Sequence, residues 1–362
     1  MKKSLIALAV LAASGAAMAQ SSVTLYGVLD IGYSKLKGGK WGQNNGDTGY
    51  GGGTGATGID GFHTPSRIGF RGTEDLGGGL AANFQLETHG SDLSTGGTGL
   101  TFGREAWVGL SGAGWGSVQL GRASSIAAKV MGAYDFNGTS QSSALDRAGI
   151  SGVTWYGSSR RSSQLQYASP NFGGVTVRAG ATLKGDQDGV QGVGVSAGAK
   201  NQYSLGATFA NGPLAVSAVA ETKGNTALRT AYAVGASYDL SVVKLGATFN
   251  RRERAGVDGY NTFSTITGFG GAASRNAGGK GWTVQAVAPL GAANIGVQYA
   301  RNTEAGIKAL ELFANYALSK RTTLYVDYVK GYDQRAVSAV STTQAAAPAN
   351  PYGVGLGIVH TF

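Results

Sequence analysis

Cysteine is absent from this 362-residue chain, proline occurs only 6 times and histidine 3 times. Without thiols there is no disulfide scaffold, no thiolate metal site and no cysteine nucleophile. The histidines, His63, His89 and His360, lie far apart and lack H-E-x-x-H or any comparable ligand spacing, which speaks against a zinc centre. There is no G-x-S-x-G nucleophile elbow to place a reactive serine. The Gly-rich run Gly51–Gly58 has no hydrophobic strand and helix around it and is not a phosphate-binding loop. Mean hydropathy is −0.05, and no apolar run reaches the ~20 residues of a spanning helix. Glycine, at 62 residues, works against long helices, since each costs about 1 kcal/mol relative to alanine in a helix interior. The formal charge of +10 points to anionic solutes or lipid headgroups as partners, and nothing resembles a nucleic-acid reader.

What the chain does have is alternation. In the last eleven residues, Tyr352, Val354, Leu356, Ile358, His360 and Phe362 hold one parity; Gly353, Gly355, Gly357, Val359 and Thr361 hold the other. That is a strand with one apolar face and one small or polar face, at the ~9–11 residues that a tilted strand needs to cross a bilayer. Other segments repeat the pattern: Gly79–Glu87, Ala309–Tyr316 and Thr322–Lys330. The amino terminus is of another kind. Lys2-Lys3, the apolar Leu5–Ala13 and small residues at Ala17-Met-Ala19 form the three parts of a secretory signal peptide over residues 1–19. Residues 20–362 then read as one domain.

Short turn clusters separate the alternating runs: Glu74–Gly78, Ser111–Gly114, Pro170–Gly173, Asn211–Pro213, Asp239–Ser241, Pro289–Gly291 and Leu318–Arg321. Seven turns join fourteen strands, and a first strand (Val23–Ser34) and a last (Tyr352–Phe362) bring the count to sixteen. The remaining connections, such as Leu36–Pro65 and Ala123–Ile150, are long. Short turns at one end, long loops at the other and an even count predict an all-β, antiparallel transmembrane barrel, multi-pass in the outer membrane of a Gram-negative cell. Sixteen strands leave a water-filled bore. Tyr26, Phe102, Trp107, Trp155, Tyr325 and Phe362, near strand ends, are candidates for interfacial girdles. A soluble β-sandwich alternates likewise and is the competing architecture, but it seldom needs sixteen strands.

Ser22–Asp30, Ser66–Gly78, Arg104–Leu110, Gly116–Arg122, Tyr167–Pro170, Leu318–Arg321 and the terminal Phe362, taken in order, resemble the general porins of Gram-negative outer membranes, most closely the β-proteobacterial type. The resemblance covers essentially the whole chain after residue 19. It implies a homotrimer of sixteen-stranded barrels, a third loop folded into the bore as a constriction, passive diffusion of small hydrophilic solutes with no cofactor, and contact with outer-membrane lipid and lipopolysaccharide. The terminal strand ending on Phe362 is the segment offered to the barrel assembly machinery.

In loop three, Asp135-Phe-Asn-Gly138 resembles the family's acidic-aromatic-Gly tip, which makes Asp135 the main carboxylate of the constriction. Asp146 and Lys129 lie on the same loop. The positions matching the family's wall arginines are Arg67, Arg104 and Arg160. Strand parity aims Arg67 and Arg71 at water, and aims Arg160 at water with Arg161 outward. If Arg104 faces the lumen, Glu105 and Trp107 point outward. Glu87 is a secondary lining candidate with Arg71, Lys129 and Asp146. Arginines outnumber acids, so the channel is expected to favour anions. A substrate-specific anion channel is the alternative within transport, and a barrel enzyme or adhesin is the alternative outside it.

Overall fold

In the computed structural model the described residues are 22–37, 57–60, 63–88, 101–138, 160–184, 200–222, 228–254, 279–303, 307–332 and 352–362. Residues 1–19 lie outside them, as do Asp146, His89 and Trp155. The described strands are β1 (Ser22–Lys37), β2 (Thr57–Asp60), β3 (Arg67–Gly77), β4 (Leu80–Glu87), β5 (Glu105–Gly112), β6 (Gly116–Ser124), β7 (Arg160–Ala168), β8 (Val175–Thr182) and β9 (Gln202–Asn211). They continue as β10 (Leu214–Glu221), β11 (Leu228–Asp239), β12 (Lys244–Arg254), β13 (Gly279–Leu290), β14 (Ala293–Asn302), β15 (Ile307–Ala317), β16 (Thr322–Tyr332) and β17 (Tyr352–Thr361). Among the described residues one helix, α1 (Ile126–Met131), and a 3-10 turn (Gly132–Tyr134) interrupt the series.

All pairings are antiparallel, and from β3 to β17 each strand pairs with its neighbours in sequence. The sheet closes through β1. Ser22–Val28 pair with β3, while Val28–Lys37 pair with β17 in a register that sets Val28 against Thr361. Gly27 and Phe362 exchange both backbone hydrogen bonds, at 3.1 Å each, which ties the final residue into the ring. The short β2 pairs with Gly32–Lys35 of β1, above the stretch paired with β3. β2 and β3 therefore share one line of a sixteen-stranded cylinder. All seven predicted turns fall where strands reverse, with edges within two residues except that β3 runs on to Gly77, past the predicted turn start at Glu74.

Side chains are distributed inside out relative to a soluble protein. Leu120, Leu205, Val234, Leu245, Ile295, Leu312, Val326 and Leu356 are exposed on the outer face. Gln164, Gln166, Thr248, Asn250, Gln285, Gln298, Glu311 and Asp327 are buried on the inner parity. A β-sandwich buries its apolar rows between sheets; here those rows face outward, as a lipid-facing barrel requires. Three girdle candidates, Tyr26, Tyr325 and Trp107, are corrected by the same parity. Tyr26 points inward and donates to Glu87 Oε2 at 2.9 Å, and Tyr325 is buried, stacked on His63 with ring centroids 4.9 Å apart.

The lipid-facing assignment has a measurable consequence. Val326→Arg places a charge mid-strand on the outer face and should cost about 2–4 kcal/mol. Thr323→Arg, on the inner parity of the same strand, should cost much less. Equilibrium unfolding from lipid vesicles distinguishes the two, and equal costs would contradict the orientation.

Candidate functional site

The inner ends of β3 to β7 gather a group of guanidiniums. Arg67 opens β3 and donates through Nη1 to Thr64 Oγ1 at 3.2 Å and to the Pro65 carbonyl at 2.9 Å. Its Nε lies 3.8 Å from Glu87 Oε2. Arg104, one residue before β5, donates from Nε to Glu87 Oε1, and its backbone N–H bonds the Glu87 carbonyl at 3.1 Å. Glu87 at the end of β4 thus stands between two arginines and the Tyr26 hydroxyl, which also accepts from Gln85 Nε2 at 2.6 Å. Arg122 on β6 donates to the Gly103 carbonyl at 2.5 Å and to Ser162 Oγ at 2.8 Å. Arg160 at the start of β7 lies in the field of Arg104, Arg122, Glu87 and Glu105. Arg71, further along β3, rests its guanidinium 5.2 Å from the Tyr26 ring centroid.

The three predicted wall arginines therefore converge, with Arg122 among them. Two orientations differ from expectation. Glu105 is buried rather than outward. Its carboxylate accepts from Ser124 N–H at 3.0 Å, Ser124 Oγ at 2.8 Å and Trp107 Nε1 at 3.0 Å, so Trp107 turns inward too. Arg104 precedes the strand, so it does not obey the parity of β5 and can share the inner side with its neighbour. Arg161 also points inward. It is 2 % exposed and bonds Gln202 Oε1 and Glu221 Oε2, the latter at 3.2 Å. The cause is a bulge. The β6–β7 register breaks between Gly121 and Ala123, which sets Arg122 opposite both Ser162 and Ser163, and Ser163 has φ +48°. An extra residue on one strand resets the alternation, so Arg161 and Gln164 both reach the interior.

The chain after β6 turns onto the inner face of the wall. Ser125 caps α1, its Oγ accepting from Ala128 N–H at 3.1 Å. Ile126, Ala127, Val130, Met131 and Tyr134 bury themselves against Val219 of β10 and Ala233 of β11. Tyr134 donates its hydroxyl to Ser217 Oγ at 3.0 Å, and the Phe136 N–H donates to Gln285 Oε1 at 3.0 Å. The Asn137 amide donates to Glu311 Oε1 at 2.8 Å and to Asp327 Oδ1 at 3.0 Å, and its oxygen accepts from Asn315 at 3.1 Å. The other oxygen of Asp327 meets His63 Nδ1 at 3.1 Å. His63 and Thr64 also give their backbone N–H groups to Asp30 Oδ2, at 2.9 and 2.7 Å. Asp135 follows the 3-10 turn, between Tyr134 and Phe136, and its carbonyl accepts from Gly138 N–H at 3.0 Å.

Lys129 projects from α1 and donates from Nζ to Gln166 Oε1 at 2.7 Å. Burial pulls its pKa down to about 8; the nearby Arg178 adds to the shift and Glu105 opposes it. Arg178 on β8 was not singled out by the sequence. Among the described residues no group of three or more acidic or histidine side chains is placed to hold a metal ion.

A family model described as Gram-negative porin matches residues 5–335. The chain belongs to the Gram-negative porin family. The porin is 33% identical to an outer membrane porin protein of Bordetella pertussis over 398 residues, with all of both chains covered. It is also 33% identical to outer membrane porin protein 32 of Delftia acidovorans over 389 residues, again with all of both chains covered. Among solved structures, the anion-selective porin from Comamonas acidovorans superposes with a TM-score of 0.71 at 26% identity, over 95% of this chain and 100% of that one. This is a multi-pass porin of the Gram-negative outer membrane, and it works as a passive diffusion channel.

The geometry around Lys129 gives a pH prediction. Below pH about 8 the amine is cationic and adds to the positive inner wall; above it the charge is lost. Anion preference, measured as reversal potential in a salt gradient, should therefore decline between pH 7 and 9. Lys129→Met should remove that step and hold preference at its alkaline value throughout. Survival of the step in the variant would assign it elsewhere.

Proposed function

We propose that this porin is an anion-preferring general diffusion pore whose filter is the basic wall of Arg67, Arg104 and Arg160, extended by Arg122. The segment carrying α1 and Asp135 stands opposite and narrows the passage. One observation carries this reading: which charges remain in contact with water. The side chains of Arg67 and Arg104 keep 22 % and 14 % of their surface exposed. The carboxylates on β1, β15 and β16 that could offset them, Asp30, Glu311 and Asp327, are 0 % exposed and engaged in internal hydrogen bonds. In a narrow bore with low-dielectric walls, the exposed charges act most strongly on a passing ion. The solved structure described as an anion-selective porin from Comamonas acidovorans supports the same preference.

Residues 1–19 serve as the signal peptide and residues 20–362 as the barrel. The chain assembles as a homotrimer in lipid and lipopolysaccharide, and the barrel assembly machinery engages the terminal strand at Phe362. The solutes are small and hydrophilic, with no cofactor and no reaction.

Replacing both Arg67→Ser and Arg160→Ser should lower the chloride-to-potassium permeability ratio several-fold. Asp135→Asn should raise it modestly. Planar-bilayer reversal potentials read both, and an unchanged ratio in the double variant would remove these arginines from the filter. A conductance that saturates for one organic anion and is blocked by it at low concentration would instead mark a substrate-specific channel.

A further inference from the structure

Four glycines on the inner face of the wall lie directly beneath the segment that carries α1. A Cβ built on Gly180 of β8 would come within 2.9 Å of Ile126 Cγ1. On Gly206 of β9 it would meet Val130 Cγ2 at 2.8 Å, and on Gly235 of β11 it would meet the Tyr134 ring at 2.7 Å. On Gly246 of β12 it would reach Phe136 Cζ at 2.5 Å. Each distance is shorter than carbon atoms tolerate, since ordinary contact begins near 3.4 Å. On β10, which lies between, the wall presents Ser217, bonded to the Tyr134 hydroxyl, and Val219, packed in the same apolar cluster.

None of these four glycines has a positive φ. Their backbone is extended and open to any residue, so conformation does not call for glycine there. Space does. The four side chains seated on them follow one another along the segment: Ile126, Val130, Tyr134 and Phe136, spaced at four, four and two residues. The first step is one turn of α1, which presents one face to the wall, and the second crosses from α1 into the 3-10 turn that ends at Tyr134. The last follows the 3-10 turn, where the chain becomes extended at Asp135.

We propose that Gly180, Gly206, Gly235 and Gly246 are positioning residues for the channel: they are recesses that let the segment lie close to the wall, and so they set how much of the bore stays open. The inference rests on the reading that this segment narrows the passage. Filling a recess pushes the segment toward the axis by about 1 Å, the difference between the present approach and ordinary contact. The seats lie away from Arg67 and Arg104, so the permeability ratio should change little while conductance changes.

The test uses the full-length porin in planar bilayers, with barrel folding checked by heat-modifiable gel migration. Gly235→Val and Gly246→Val should each lower single-channel conductance by about 1.5-fold, because throughput follows bore width. Trimming the seated ring should restore it: Tyr134→Ala paired with Gly235→Val, and Phe136→Ala paired with Gly246→Val. Wild-type conductance in the folded single variants, or no rescue by the paired ones, would overturn the proposal. If the valine variants do not fold, Gly235→Ala and Gly246→Ala take their place, and recovery of folding by the ring truncations supports the seats. Failure to fold with and without the truncation would overturn them, by showing that glycine is needed for another reason. Replacing residues 126–137 with a short Gly-Ser linker tests the underlying reading separately. If conductance does not rise, the segment is no constriction; if it rises while the glycine variants behave as wild type, only the seats are refuted.

Discussion

Hydrocarbon offers no partner to a peptide group, and the whole architecture answers to that. Each strand's N–H and C=O groups find their mates on two neighbours, and the one seam where they would run out, between the first strand and the last, is closed by ten residue pairs from Val28–Thr361 to Lys37–Tyr352. Once the ring is closed, period-two alternation divides the side chains without further instruction. Leucines and valines take the lipid, and amides, hydroxyls and charges take the interior.

The interior so created is unevenly charged. Guanidiniums collect on β3 to β7, where Glu87 and Glu105 hold them in place. Carboxylates collect on β1, β15 and β16, where they are spent on holding chain segments: Asp30 on the backbone of His63 and Thr64, and Glu311 and Asp327 on Asn137. The two groups do different work because their solvation differs. A carboxylate taken wholly out of water must be matched by donors, and here the donors come from the inserted segments. An arginine that keeps part of its surface in water leaves its charge available to whatever passes.

Much of this was written in the chain. The turns are legible because glycine, proline, asparagine and aspartate cluster where strands reverse. The family pattern supplies Arg67, Arg104 and Arg160, and parity aims Arg67 and Arg160 inward. What parity could not supply were the places where alternation is interrupted. Arg161 departs from parity because the bulge at Ser162–Ser163 shifts the count by one, and a non-glycine residue at φ +48° leaves no mark in the sequence. An outward Glu105 follows only if Arg104 shares its strand, and Arg104 lies one residue before β5. Tyr26 and Tyr325 resemble girdle residues by composition, and only their partners, Glu87 and His63, show them to be interior. Asn137 gave no signal beyond its place beside Asp135, yet it holds the tip of the segment to two strands.

The carboxylate of Asp327 is shared, one oxygen to His63 and the other to Asn137. Both visitors therefore come to rest on β16, next to the carboxy-terminal strand, while His63 is also bound to Asp30 on the strand that closes the seam. The His63 link needs the chain's two ends to have met, because Asp30 and Asp327 stand on opposite sides of the β1–β17 seam. Opening that seam would release the His63 segment while Asn137 stays held by β15 and β16.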